Sequence, residues 1–162
     1  MALSILVTGF ESSAHTIGES VDGQVTNLVS DMAEKPITVK QKIEYILPYT
    51  DEEINLLALV TMAEAEGESE EGKRLVIDTI LNRVDHWYWP DTIHDVIYQS
   101  GQFTSMWNGR SNRCYVTDEV RKLVIEEMKS RTNTDVVYFT AGGYGKYGTR
   151  LFNVGNHYFA AY

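Results

Sequence analysis

Two stretches of helical apolar spacing, separated by a run of glutamates and glycines, limit what this chain can fold into. The first is Ile54-Asn-Leu-Leu-Ala-Leu-Val-Thr-Met-Ala and the second is Leu75-Val-Ile-Asp-Thr-Ile-Leu-Asn-Arg-Val. Between them lies Glu64-Ala-Glu-Gly-Glu-Ser-Glu-Glu-Gly72. Thr50-Asp-Glu-Glu53 is a capping box, in which a hydroxyl and a carboxylate satisfy the amides left free at a helix start. It predicts a helix over 51–65 with Ile54, Leu57, Ala58, Thr61, Met62 and Ala65 on one face. Gly67 stops that helix. A second begins near Ser69 or Glu70 and buries Val76, Ile77, Ile80, Leu81 and Val84, with Arg74 and Asp78 as a solvated pair on its other side.

Glu64 follows Leu57 by seven residues and Thr61 by three, so it lies along the edge of the first apolar face. Like charges within a few ångströms disfavour ionising together, and Glu66, Glu68, Glu70 and Glu71 stand close by in the chain. A carboxyl at an apolar boundary with negative neighbours is a candidate general acid near neutral pH. A solvated acidic turn is the alternative reading.

Residues 1–49 have a different texture, with many small and polar residues and weak periodicity. They read as a weakly ordered extension or packing arm, with a helix near 25–32 and an extended piece near 37–47. Beyond the second helix, His86-Trp-Tyr-Trp-Pro90 is a loop aromatic enough to be a core lid or a sugar platform. Thr92 caps a short helix carrying Ile93, Val96 and Ile97, and residues 98–107 are irregular. Thr117 or Asp118 opens another helix, with Val120, Leu123, Val124 and Met128 inward. The period then changes: 135–140 reads as a strand, 141–148 as a loop rich in glycine and tyrosine, and 152–159 as an extended return. The class expected is α+β, mainly helical, with a small C-terminal β-hairpin.

Composition excludes several functions. The formal net charge of −9 argues against nucleic acid, where clustered positive charge supplies most of the affinity, and against docking on anionic membranes. An uncharged or mixed-charge polymer such as a glycan strand remains compatible. No membrane insertion is expected. The first ten residues carry no Lys or Arg and make a poor signal peptide, so an export route is not written there. Cys114 is the single cysteine and reads as a small structural thiol. The four histidines, His15, His86, His94 and His157, contain no His-x-x-x-His pair, and the glutamate run lacks the spacing of a calcium loop; neither a metal nor a cofactor is expected.

The order Glu64-Ala-Glu-Gly-Glu68, Ile80-Leu-Asn-Arg-Val84, Val96-Ile-Tyr-Gln99 with Phe103-Thr104, Val137-Tyr-Phe139 and Gly155-Asn-His157-Tyr-Phe159 resembles the SleB/CwlJ family of bacterial cell-wall hydrolases. That family is known for spore-cortex lysis in germination and is related to lysozyme-like lytic transglycosylases. The resemblance covers roughly 53–160. It implies a lysozyme-like catalytic domain over 50–162, acting as a monomer on peptidoglycan glycan strands outside the cytoplasm, in a cell or encoded by a phage. It makes Glu64 the catalytic acid. Glu66 stands where the family usually has a basic residue. Glu68, Gln99, Phe103, Thr104, Tyr138 and His157 become the expected substrate-binding residues. For His157 a second reading stays open, a partly buried side chain hydrogen-bonded within the hairpin.

Hydrolytic glycosidases usually need two carboxyl groups. A lytic transglycosylase needs one, because the muramic acid 6-hydroxyl is an internal nucleophile of high effective concentration. The expectation is therefore a lytic transglycosylase cleaving the MurNAc–GlcNAc bond with Glu64 as acid and then base. Two alternatives stand beside it: a muramidase using water, with Glu68 or another acid as base, and a non-catalytic glycan-binding or virion-associated module.

Overall fold

In the computed structural model, which describes residues 48–162, Thr50 caps the first helix as its capping box predicts. The Thr50 amide donates to Glu53 Oε2 (2.8 Å), and the Glu53 amide donates to Thr50 Oγ1 (3.2 Å). The extension read over 1–49, with its helix near 25–32 and extended piece near 37–47, lies almost wholly outside the described residues. Helix α1 runs Asp51–Ala65 and α2 runs Glu70–Val84, the latter capped by Ser69, whose hydroxyl accepts from the Gly72 amide. Thr92 and Thr117 cap α3 (Ile93–Ile97) and α4 (Asp118–Lys129) in the same way. All four helix starts were written locally.

The two long helices are buried more completely than a one-faced pattern predicts. In α1, Val60 and Ala63 are buried along with the expected face. In α2, every residue from Leu75 to Arg83 is buried, while Val84 is only partly covered. The reason is packing on several sides: α1 touches α2, α3 and α4, and α2 touches α3, α4 and the first strand. Buried threonines solve their own polarity, Thr61 donating to the Leu57 carbonyl (2.7 Å) and Thr79 to the Leu75 carbonyl (2.8 Å).

The solvated Arg74–Asp78 pair is a misreading that this packing corrects. Asp78 has no exposed surface; its Oδ2 accepts from the Asn133 amide (2.8 Å), and its Oδ1 has no partner. Arg74 instead joins α2 to α4, contacting Glu126 and the buried Glu127 at 2.5 Å each, with Glu70 at 2.8 Å. Helix α4 covers the side of α2 that sequence spacing assigned to solvent.

The sheet has three strands: β1 (Tyr138–Ala141), β2 (Thr149–Val154) and β3 (His157–Ala161). Both neighbours pair antiparallel with β3, giving the order β1-β3-β2. The return expected over 152–159 is in fact two strands joined by Gly155-Asn156. Gly155, with φ 56°, supplies the positive angle that a two-residue hairpin of the II′ kind needs at its first position. Leu75 of α2, Val136 and Phe159 form a small second core beneath the sheet. The mainly helical α+β class holds.

Candidate active site

Two helices and a strained loop place the acidic side chain. Glu64 is the penultimate residue of α1, half-buried, and its Oε1 accepts from Ser105 Oγ at 2.5 Å. Ser105 is buried in the 3-10 turn Thr104–Met106. That turn follows Phe103, whose φ of 28° is the one positive value outside glycine among the described residues. A side chain held there costs about 1–2 kcal/mol. Burial of the Phe103 ring, about 1.5–3 kcal/mol, offsets it. The turn after Phe103 sets Ser105 against the end of α1.

Arg83 organises the opposite side. It is buried, donating from Nε to the Val137 carbonyl (2.7 Å) and from Nη1 to Gln102 Oε1 (2.9 Å). Its guanidinium lies over the rings of Phe103 (5.4 Å), Trp89 (5.5 Å) and Tyr138 (5.8 Å). Burial lowers its pKa to about 10, with Tyr138 opposing the fall, so it stays cationic at neutral pH. The adjacent Asn82 donates to the carbonyls of Asn133 (3.0 Å) and Val136 (2.8 Å). Together, Asn82 and Arg83 fasten the lead into β1 onto α2.

Between these parts opens a cleft of about 290 Å³. Glu64, Arg83 and residues 101–104 form one part of its lining; Tyr138, Phe139, Thr140, Tyr158 and Ala160 of the sheet form another, with Tyr144 and Tyr147 from the β1–β2 loop. Glu64, Phe103, Thr104 and Tyr138, all expected site residues, meet here.

Gln99 is not among the lining residues, and its Oε1 is buried without a hydrogen-bond partner; Gln102, three residues on, lines the cleft. The loop turns back between them, the Gln102 amide donating to the Gln99 carbonyl (3.0 Å). Glu68 and His157 also lie outside the lining. Glu68 Oε2 accepts from the Asn156 amide (3.3 Å) at the β2–β3 turn, and a Cβ at position 155 would overlap that same oxygen. His157 is buried between Phe139 (5.0 Å) and Phe159 (6.2 Å), and its Nδ1 has no hydrogen-bond partner, so the hydrogen-bonded reading of this residue does not hold. Burial lowers its pKa, while the charges of Glu68 and Glu64 pull it upward.

The crowd of glutamates expected around Glu64 disperses. Glu66 points toward Arg110 (3.9 Å), Glu68 holds the hairpin turn, and Glu70 pairs with Arg74. Among the described residues, no three His, Cys, Asp or Glu side chains are grouped as a metal site requires. Ser105, Gln102 and Arg83 are the site residues that sequence reading missed. Arg83 alone left a signal, a cation set among apolar residues near the end of α2.

A single carboxyl held by a hydroxyl, in an open cleft between a helical core and a small sheet, is a candidate active site. The chain belongs to the Cell Wall Hydrolase family, whose model matches residues 67–160 and so includes Glu68 but begins three residues after Glu64. A spore cortex-lytic enzyme of Oceanobacillus iheyensis is 37% identical over 62 residues, 38% of this chain and 22% of that protein. One from Halalkalibacterium halodurans is 31% identical over 85 residues, 51% of this chain and 25% of that protein. The chain thus spans a quarter or less of these relatives. Two solved structures share the fold. The catalytic domain of the Bacillus cereus SleB protein superposes with a TM-score of 0.62 at 24% identity, covering 69% of this chain and 91% of that domain. The catalytic domain of a germination-specific lytic transglycosylase from Bacillus anthracis gives 0.61 at 22% identity, covering 70% and 97%.

Proposed function

We propose that this chain cleaves peptidoglycan glycan strands as a lytic transglycosylase, outside the cytoplasm where wall or cortex lies, with Glu64 as acid and then base. The observation that carries this reading is the number of carboxyls in the cleft. Among the described residues that line it, Glu64 is the one carboxylic acid. Water-using glycosidases place a second carboxyl roughly 5–9.5 Å from the first. Glu68, the base that the muramidase alternative names, is engaged at the hairpin turn, and Glu66 faces Arg110. That favours the internal nucleophile over the muramidase alternative.

In the proposed cycle, Glu64 gives its proton to the glycosidic oxygen as the C1–O bond of the muramic acid breaks. The carboxylate so formed takes the proton of the 6-hydroxyl of the same sugar. The freed oxygen attacks C1, closing a 1,6-anhydro ring and leaving Glu64 protonated for the next turnover. Ser105 fixes one carboxyl oxygen and stabilises the charge while it exists. Tyrosine rings of the sheet and loop can cover apolar sugar faces, and Thr104 and Thr140 can bond hydroxyls. Family membership and the shared fold of a lytic transglycosylase domain support the reading further.

Mass spectrometry of digested sacculi tests it. Anhydro ends are expected; reducing ends would point to water as the nucleophile. Glu64→Gln is expected to lower lysis about 10²- to 10⁴-fold with an unchanged circular dichroism spectrum. Full activity in that variant would remove Glu64 from the reaction.

A further inference from the structure

The aromatic loop after α2 has no part in the cleft, yet it is the most exposed aromatic surface near it. Trp87 is 82% exposed, Tyr88 57% and Tyr162 53%, while Trp89 at their base is only 8% exposed. The rings form one cluster. Trp89 lies 5.1 Å from Tyr88, 5.6 Å from Tyr162 and 4.8 Å from His86, and Trp87 stacks on His86 at 5.7 Å. Core packing explains Trp89. It does not explain three large exposed rings held in a fixed cluster by mutual contact, since isolated side chains of this size gain little by standing in water.

The cluster is continuous with the cleft. Trp89 meets Tyr138 at 5.5 Å, and Tyr138 lines the cleft with Glu64. Arg83, also a lining residue, lies over both rings. A shallow depression beside the cluster is lined by His86, Trp87, Trp89, Pro90 and Asp91, together with Asp85, whose carboxylate pairs with Arg131 (2.6 Å). Flat rings beside carboxylate acceptors are the chemistry that holds a sugar: the ring covers axial C–H groups and the carboxylate accepts from hydroxyls. The Asp91 carboxylate, on a chain of net charge −9, disfavours an anionic membrane or nucleic acid as the occupant.

From this we infer that Trp87, Tyr88 and Tyr162 form an outer carbohydrate subsite, which binds the same glycan strand beyond the sugars in the cleft. The inference rests on the proposed glycan substrate. Trp89 is the positioning residue that ties this outer platform to Tyr138.

The test separates binding from catalysis. In full-length Glu64→Gln protein, binding to purified sacculi is measured by co-sedimentation, with and without Trp87→Ala plus Tyr88→Ala. About a tenfold loss of affinity is expected, with an unchanged melting temperature. Tyr115→Ala removes an equally exposed ring (83%) that joins none of these contacts and is expected to bind as before. With Glu64 restored, the paired substitution should lower the activity ratio of long strands to short glycan fragments. Unchanged sacculus affinity would overturn the subsite while leaving the proposed reaction intact. Equal loss in the Tyr115 control would overturn it as well. Trp87-dependent partition onto phosphatidylcholine vesicles without glycan dependence would make the patch a membrane face. Trp87-dependent dimerisation in sedimentation would make it a self-interface. Wild-type protein that neither binds nor cuts peptidoglycan would bring down the functional reading, and the subsite with it.

Discussion

At the scale of single residues, the site depends on contacts whose removal has calculable consequences. Ser105 is the hydroxyl that holds Glu64. A hydrogen bond to a charged group contributes about 1.5–3 kcal/mol, and each 1.36 kcal/mol in a barrier is tenfold in rate. Ser105→Ala is therefore expected to lower kcat about tenfold or more, with KM little changed and Ser105→Thr restoring part of the rate. A fall in KM and kcat together, or none, would mean that Ser105 only packs. Gly155 is constrained twice, by its φ of 56° and by the Glu68 carboxylate above it. Gly155→Ala should cost about 1–2 kcal/mol from the backbone alone, with the overlap in addition. Because Glu68 supplies the overlap, Glu68→Ala with Gly155→Ala should cost less than the sum of the two single changes in thermal melts.

At the scale of elements, the α2–α4 contact buries two carboxylic acids side by side. Burial pushes Asp78 from its ordinary 3.8 up to about 8; Glu127 adds to the rise and the Asn133 amide opposes it. Between those two values the folded chain holds a proton that the unfolded chain has lost. The contribution of Asp78 to stability is thus fully present below about pH 3.8 and is lost as pH rises toward about 8. Asp78→Asn removes this dependence, since the amide keeps an acceptor for Asn133 and carries no charge. Melting temperatures at pH 5 and pH 8 should fall less for the variant than for the wild type. Parallel profiles would show that Asp78 is ionised in the folded protein throughout.

At the scale of the whole molecule, the two apolar cores of the described residues draw their buried members from residues 54–159, and Tyr49 packs on the edge of the first. We propose that the catalytic domain begins at about Pro48. A fragment of residues 48–162 is expected to melt cooperatively and to retain sacculus lysis. A fragment from residue 50, lacking Tyr49, should melt lower. An unfolded 48–162 fragment by circular dichroism would make the preceding residues part of the domain.

The sequence alone determined what depends on neighbours three or four positions apart. The hydroxyls of Thr50, Ser69, Thr92 and Thr117 start four helices, each by accepting from the amide of the third helical residue. The apolar spacing of α1 and α2 likewise follows from one turn to the next. The class of fold and the position of Glu64 at the end of α1 were legible for that reason. The clasp of Ser105 on Glu64 spans 41 residues, and the bond from Arg83 to Val137 spans 54. No local spacing encodes either. Asp78 looked solvated because helical periodicity assigns one side of a helix to water; α4 and the residues around Asn133 cover that side instead. The dispersal of the glutamates and the place of Gln102 in the cleft were decided in the same way. A side chain's direction and partners are settled when separate segments pack, because burial makes an unpartnered polar group costly and leaves few arrangements that avoid one.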